Sequence, residues 1–337
     1  MKIGLLGCKG TTLDLLHPIV QRGELQISHV FTLGEDSARK NKVAFYKGSA
    51  IERYCKAKRI PLTKVASYTL SGEQDRETFA AAEIDLLLVI GWERLIPEDI
   101  LNTLGKFACG MHGSAYGLPK GRGRSPMNWA ILTKHDRFVT YLFRYTPGMD
   151  DGDLIGFKSF SIAASDTIGT LHAKNRIVMG QLVHIYAPRI RRGDVVFFPQ
   201  PDLPPTFYPK RTRDDGFIDW SQSTADIDRL VRAVAPPYPS ALTLLEGQEI
   251  AVLAGNPFDN ALFDGHIAPG TVVDVQLSLG HFAVKTGDGS FLVTKSEGVD
   301  LQALANQTLL ESRDQASIMR DIRTRYPAWV GEDEKEI

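Results

Sequence analysis

The sequence predicts an α/β protein in which a doubly wound, mostly parallel sheet is followed by a small β-barrel. Three observations carry this. Short apolar runs at Lys2–Leu6, Gln26–Thr32 and Ile84–Ile90 alternate with amphipathic stretches, as buried parallel strands crossed by helices do. A proline-rich segment, Pro199–Pro209, then interrupts the alternation. Beyond it, brief strand patterns are separated by turn signals at Glu246-Gly247, Gly255-Asn256-Pro257, Pro269-Gly270 and Asp288-Gly289.

The elements follow in order. Gly7 closes the first strand, and Thr11 or Thr12 is placed to cap a helix carrying Leu13, Leu15, Leu16, Ile19 and Val20. Glu52–Lys58 and Glu73–Ala82 read as helices, with an extended segment opening at Ile60-Pro61-Leu62. Phe107–Met111 reads as a strand that leaves His112 just past its end. Ser125 is placed to cap a helix with Pro126 at its first position, running through Trp129, Ile131 and Leu132. Val139–Phe143 alternates as a strand does, and Asp166 or Thr167 is placed to cap a long helix from Leu171 to about Tyr186. Further helices are expected over Thr224 to Val234 and Leu309–Tyr326, with a frayed tail at Glu332–Glu336. The expected division is a first domain over 1–200, a linker over 201–215 and a barrel domain with flanking helices over 216–337.

Hydrophobic content of 43% and charged content of 23% are those of an ordinary globular chain. Cys8, Cys55 and Cys109 form no Cys-x-x-Cys pair, so neither a disulfide framework nor a thiolate zinc site is expected, and a reducing, cytoplasmic setting is. The apolar run at the N-terminus is shorter than a signal peptide needs, and no stretch approaches the length of a bilayer span. The net charge of −1 hides an asymmetry. From Gly216 onward nine basic residues face eighteen acidic ones, while residues 1–215 hold thirty basic and twenty-two acidic residues. The first part suits an anionic substrate; the second repels a nucleic-acid backbone.

The chemistry concentrates on two loops. His112 opens a glycine-containing segment at a strand end, where open α/β sheets bind ligands. Asp150-Asp151-Gly152-Asp153 follows the next strand; a solvated turn is the simpler explanation, but a carboxylate beside a histidine orients the ring for acid–base work. The spacing of a calcium loop is absent, so no metal is expected. Arg122 and Arg124, in Gly121-Arg122-Gly123-Arg124 before a helix start, suit a carboxylate or phosphate unless they form only a basic surface loop. Lys9 and Lys120 are further candidates for an anionic substrate, although Gly7-Cys8-Lys9-Gly10 matches neither a dinucleotide fingerprint nor a P-loop.

In order and spacing these segments resemble the N10-formyltetrahydrofolate-dependent formyltransferase family, which includes methionyl-tRNA, glycinamide ribonucleotide and amino-sugar enzymes. The family pattern of Asn-x-His, Leu-Pro-x-x-Arg-Gly and Asp-x-Gly is matched by Gly110-Met111-His112, Leu118-Pro119-Lys120-Gly121-Arg122-Gly123 and Asp150-Asp151-Gly152. Asp215-Gly216-Phe217-Ile218-Asp219-Trp220 and Pro236-Pro237-Tyr238-Pro239 resemble the junction to a C-terminal barrel, so the resemblance covers nearly the whole chain. It implies a Rossmann-like first domain, an OB-like barrel, His112 and Asp150 as catalytic residues and N10-formyltetrahydrofolate as cofactor. It further implies a pterin pocket walled by Gly91, Trp92, Arg94, Leu95 and Ile96 on one side and Tyr145, Gly148, Met149 and Asp150 on the other. One residue departs from the pattern: Gly110 stands in place of the asparagine that gives the formyl oxygen a second donor. Loss of such a donor typically costs about 2.7–4 kcal/mol. Asn128 and Ser114 are the nearest substitutes in sequence.

The acceptor expected is a primary amine on a nucleotide-linked amino sugar, as in surface polysaccharide synthesis, with Lys9, Lys120, Arg122 or Arg124 holding its pyrophosphate. The acidic barrel argues against tRNA and nucleic acid. Methionyl-tRNA and hydroxyornithine formylation, or folate binding without catalysis, are the alternatives. No membrane partner is expected, and a barrel-mediated homodimer is left open.

Overall fold

The structure, a computed structural model, describes residues 1–23 and 25–326. The tail expected to fray at Glu332–Glu336 lies outside these described residues. In chain order the elements are β1 (Ile3–Leu6), α1 (Gly10–Arg22), β2 (Ile27–Leu33), α2 (Glu35–Lys40), α3 (Gly48–Lys58), β3 (Leu62–Val65), α4 (Glu73–Ala82), β4 (Leu86–Val89), α5 (Glu98–Leu101), β5 (Phe107–Ser114), the two-residue β6 (Arg122–Gly123), α6 (Pro126–Leu132), β7 (Arg137–Arg144), β8 (Leu154–Ser161), α7 (Ile168–Arg192), the two-residue β9 (Phe207–Tyr208) and α8 (Thr224–Ala233). Then follow β10 (Ala241–Leu245), β11 (Gln248–Pro257), β12 (Val272–Gln276), β13 (His281–Lys285), β14 (Ser290–Glu297) and α9 (Gln315–Arg325).

The chain divides into two compact units. The first comprises Met1–Arg122, Val139–Phe160 and Ala173–Pro205; the second comprises Gly123–Phe138, Ser161–His172 and Thr206–Ile337. The units therefore do not follow a single cut in the sequence. α6 belongs with the later residues because Asn128 Nδ2 donates to Ala233 O at 2.7 Å and Trp129 Nε1 to Pro209 O at 3.0 Å.

The first unit is built on a seven-stranded sheet in the order β3-β2-β1-β4-β5-β7-β8. β1, β2, β3, β4 and β5 run parallel, and β1 and β4 are buried at every position, which is why both read as unbroken apolar runs. Helices cover both faces. Leu15 and Leu16 of α1 and Val178, Leu182 and Val183 of α7 join one core cluster, while Phe79 of α4 and Ile100 of α5 join another. β7 turns the sheet antiparallel against β5, with Gly110 opposite Phe143 and His112 opposite Tyr141.

That pairing corrects the expected strand end. Gly113 and Ser114 pair with Thr140 and Val139, so β5 extends three residues beyond Met111 and His112 lies within the strand. Two expected caps also differ. The N-cap of α1 is Lys9, whose N–H donates to Thr12 Oγ1 at 3.2 Å, and Thr12 in turn donates to Ile90 O at 2.6 Å. Ser125 precedes α6 with φ 55°, a left-handed backbone in which its side chain makes no cap bond. β8 and α5 escaped the sequence reading: one is an edge strand with its side chains half out of the core, the other only four residues long. The last helix begins at Gln315 rather than near Leu309, because residues 307–311 belong to the second unit's sheet.

The second unit carries a five-stranded antiparallel sheet in the order β10-β11-β14-β13-β12. Its two edges meet the same segment: Glu311 N–H donates to Leu244 O at 2.8 Å, and Val272 N–H donates to Thr308 O at 2.8 Å. This strap closes the sheet into a barrel whose core holds Ile218, Trp220, Val252, Phe282 and Phe291. Ser223 caps α8 through Asp226 N–H, and Asp288 at the β13–β14 turn accepts from Thr224 N–H at 2.7 Å and Thr224 Oγ1 at 2.8 Å. Among the described residues, no helix is long and apolar enough to cross a membrane.

The Asp288 contact generates a pH test. The Thr224 backbone and hydroxyl bonds hold the Asp288 carboxyl below its ordinary range. Its contribution is therefore present above the unfolded carboxyl value, about 3.9, and is lost as pH falls through the lower folded value. Asp288→Asn is expected to lower the melting temperature at neutral pH, with the gap to the parent narrowing below about pH 4. Thermal unfolding followed by circular dichroism at both pH values checks this; a gap independent of pH contradicts it.

Candidate active site

The parallel strands of the first unit end where the chain turns into α1, the Gly91 loop and α5. Gly91 has φ 73°, and a Cβ there would lie 2.6 Å from Thr12 Oγ1, so the turn after β4 requires glycine. Lys9, 7% exposed, ion-pairs with Glu93 and so joins the β1 and β4 loops. Its charge is answered within the protein. Trp92 is buried edge-on against Tyr68, ring centroids 4.7 Å apart, and Arg94 lies over the same Tyr68 ring at 4.7 Å. Burial pushes the Tyr68 hydroxyl up to about 12, with the nearby Cys8 thiol and Glu93 carboxylate adding to it. Ile96 is in the core, whereas Leu95 and Met149 are exposed.

His112 is brought to Asp150 by two adjacent elements: β5 carries the histidine, and the aspartate sits in the loop after β7. His112 Nδ1 lies 3.3 Å from Asp150 Oδ2, and His112 Nε2 lies 3.1 Å from the Gly121 carbonyl oxygen. Both partners are acceptors, so a ring protonated at both nitrogens satisfies both contacts while a neutral ring satisfies one. Asp150 has φ 51°, left-handed for a residue with a side chain. The same loop is packed so closely that a Cβ on Gly152 would run into the Arg144 carbonyl and one on Gly148 into the Asp151 carboxylate.

A cavity of about 420 Å³ is lined by Glu98, Leu101, Lys106, Tyr145, Thr146 and Asp151, among others; His112 and Asp150 do not line it, and it meets the Asp150 loop at Asp151 and Gly152. Of the residues expected to wall a ligand pocket, it is Tyr145 that lines it. The Tyr145 hydroxyl donates to Arg94 O at 3.2 Å; burial, with the Asp150 charge behind it, raises its pKa and keeps it a neutral donor. Glu98, Leu101 and Thr146 were not found from sequence. Their signal is faint: an acidic residue directly after Pro97 and a threonine in a Tyr-Thr-Pro-Gly turn.

The position of Gly110 is filled from across the sheet. A Cβ on Gly110 would lie 2.7 Å from Phe143 Cζ and 2.8 Å from Tyr145 Cδ2. These rings stack with centroids 6.1 Å apart and occupy the space into which a side chain at 110 would project. Both substitutes expected from the sequence make hydrogen bonds within their own surroundings. Ser114 Oγ donates to Lys120 O at 2.6 Å and accepts from Tyr116 and Gly117 N–H, which staples its own loop. Asn128, in the second unit, gives its amide to Ala233. Arg122 Nη2 donates to Gln200 Oε1 at 2.7 Å, and Arg122 Nε is buried without a partner. Lys120 is half-buried, and its ammonium has no carboxylate partner among the described residues. Arg124 lies in the second unit, where its N–H donates to Tyr208 O at 2.9 Å. No group of three or more His, Cys, Asp or Glu side chains among the described residues is arranged to hold a metal ion.

The profile of the formyl transferase domain matches residues 10–183, and that of the formyl transferase C-terminal domain matches residues 210–310. The chain belongs to the formyl transferase family. Solved structures share the fold. HypX from Aquifex aeolicus in complex with tetrahydrofolic acid superposes with a TM-score of 0.62 at 17% identity, over 96% of this chain and 47% of that one. This chain thus spans about half the length of the HypX chains it matches. WlaRD, a sugar 3N-formyl transferase solved with dTDP and 5-N-formyl-THF, gives 0.61 at 15% identity, over 89% of this chain and 99% of that one. An N-formyltransferase from Helicobacter canadensis, solved with folinic acid and dTDP-3-aminofucose, gives 0.61 at 14% identity, over 88% and 99%.

The filled position at Gly110 predicts that the family asparagine does not fit this sheet. Gly110→Asn is expected to destabilise the protein by about 1–3 kcal/mol, as overpacking does. Adding Phe143→Ala makes room, so the double variant is expected to be more stable than the sum of the two single losses implies. Urea unfolding of the four proteins checks this; strict additivity contradicts it.

Proposed function

We propose that this chain transfers a formyl group from N10-formyltetrahydrofolate to the primary amine of a nucleotide-linked amino sugar. One observation carries the proposal: His112 meets Asp150 on a loop whose next residues, Asp151 and Gly152, line a cavity of about 420 Å³, within the size range of small-molecule sites. The cavity fits the pterin end of a folate. Its lining offers the Glu98 carboxylate, the Thr146 hydroxyl, the face of Tyr145 and the close-packed backbone at Gly152, which suit a flat ring edged with donors and acceptors.

When bound, the folate supplies the formyl carbon that the amine attacks: a new C–N bond forms to the acceptor and the bond to N10 breaks. His112 presents Nε2 to the formyl oxygen, an acceptor like the Gly121 carbonyl that now holds it. Asp150 keeps Nδ1 as a donor and balances the ring's charge while negative charge gathers on that oxygen. As the bond to N10 breaks, the ring gives its Nε2 proton to the departing nitrogen and takes in its place the proton that the amine gives up, so its charge is restored. The amino-sugar acceptor is supported by the likeness in fold to sugar enzymes matched over 99% of their length, one of them solved with dTDP-3-aminofucose. Of the cations expected to hold a pyrophosphate, Lys120 has no carboxylate partner among the described residues, whereas Lys9 is paired with Glu93. The acidic second part of the chain, with eighteen acidic and nine basic residues, argues against a tRNA acceptor.

The rings at Gly110 favour a second reading, a folate-binding chain without turnover. A mass-spectrometric assay with N10-formyltetrahydrofolate and a panel of nucleotide-linked amino sugars separates the two. A product heavier by one formyl group is expected, abolished in His112→Ala, and Lys120→Ala is expected to raise KM for the acceptor on the order of tenfold with little change in kcat. Folate binding with no product on any amine establishes the second reading. Turnover only on charged tRNA or hydroxyornithine overturns the acceptor.

A further inference from the structure

We propose that Gln200 is a positioning residue, a strap that fixes the Asp150 loop and the Gly121–Arg122 loop on either side of His112. This rests on the reading of His112 and Asp150 as the acting pair.

The contacts close a circuit. His112 Nδ1 meets the Asp150 carboxylate at 3.3 Å. The backbone carbonyl of Asp150 accepts from Gln200 Nε2 at 2.7 Å, and the carbonyl of Gly152 accepts from the same nitrogen at 3.0 Å. Gln200 Oε1 accepts from Arg122 Nη2 at 2.7 Å. Arg122 is joined by its own peptide bond to Gly121, whose carbonyl meets His112 Nε2 at 3.1 Å. The Gln200 side chain thus ties the Arg122 side chain to the backbone at Asp150 and Gly152, segments that meet His112 from either side.

The chemistry of an amide suits this place. Its nitrogen donates two hydrogens to two carbonyls while its oxygen accepts from a guanidinium. A glutamate of the same shape keeps the guanidinium contact, loses both donors and sets a negative charge against two carbonyl oxygens. The loop needs this support. Asp150 holds a left-handed backbone at φ 51°, and such conformations persist where their surroundings fix them. The close approach of Gly152 to the Arg144 carbonyl confines the loop on its other side. When His112 Nε2 leaves Gly121 for a substrate oxygen, the Gln200 bonds to Asp150 and Gly152 remain, so the carboxylate stays aimed at Nδ1. Loss of that aim falls on the chemical step rather than on binding.

The test is Gln200→Glu in the full chain, alone and combined with Asp150→Asn. The single variant is expected to stay folded, with a melting temperature lower by at most a few degrees, to keep both KM values within about twofold, and to lose kcat by on the order of tenfold to a hundredfold. In the Asp150→Asn background it is expected to lose nothing further, because the strap acts through that carboxylate. Unchanged kcat, a loss confined to KM, or a full multiplicative loss in the double variant overturns the proposal. If the parent protein turns over no amine, the proposed function fails, and the strap is read by hydrogen exchange instead. The amides of Arg144 and Leu154, bonded to Asp153 O and Phe198 O at 2.8 and 2.7 Å, are expected to exchange faster in Gln200→Glu; unchanged exchange overturns the strap.

Discussion

The contact between His112 Nδ1 and the Asp150 carboxylate depends on a reversal in the sheet. Through β5 the strands run parallel, and each returns to the same edge through a helix. β7 then runs back against β5 in register, so the loop leaving β7 arrives beside the strand that carries the histidine. A further parallel strand would have sent the chain away through another crossover. The antiparallel pairing sets the histidine and the aspartate side by side with little freedom between them. The left-handed backbone at Asp150, the close approach of Gly152 to Arg144 and the amide of Gln200 then fix which way the carboxylate faces.

The same register explains the missing asparagine. Gly110 is directly opposite Phe143, and cross-strand neighbours on one face share their space. With aromatic rings from Phe143 and Tyr145 over it, position 110 has no room for a side chain. The glycine and the rings are a matched set, so restoring the asparagine alone does not restore the family site. Tyr145 also lines the 420 Å³ cavity, which joins the filling of position 110 to the shape of that cavity.

Much of the architecture was legible in the sequence because burial on both faces leaves unbroken apolar runs, as at Leu86–Val89, and because closing turns carry their own signals, as at Asp288-Gly289. β8 was not, because an edge strand alternates weakly, and α5 is too short to show a helical period. His112 and Asp150 stood out by spacing, and the structure brings them together. Trp92 and Ile96 are buried and do not line the 420 Å³ cavity; an apolar residue reads alike in sequence whether it faces a ligand or the core. Lys9, a candidate contact for an anionic substrate in the sequence, is ion-paired with Glu93, a partner that sequence spacing does not announce. Gln200 was invisible, since nothing in Pro199-Gln200-Pro201 announces contacts with carbonyls fifty residues away in sequence.

The central claim is that His112 and Asp150 act as one device. It is tested most directly by kcat for His112→Ala, Asp150→Asn and the two together, each checked to be folded. If the aspartate works through the histidine, the double variant loses no more than His112→Ala alone, within about threefold. Losses that multiply across the two sites would contradict the account, because each residue would then be acting without the other.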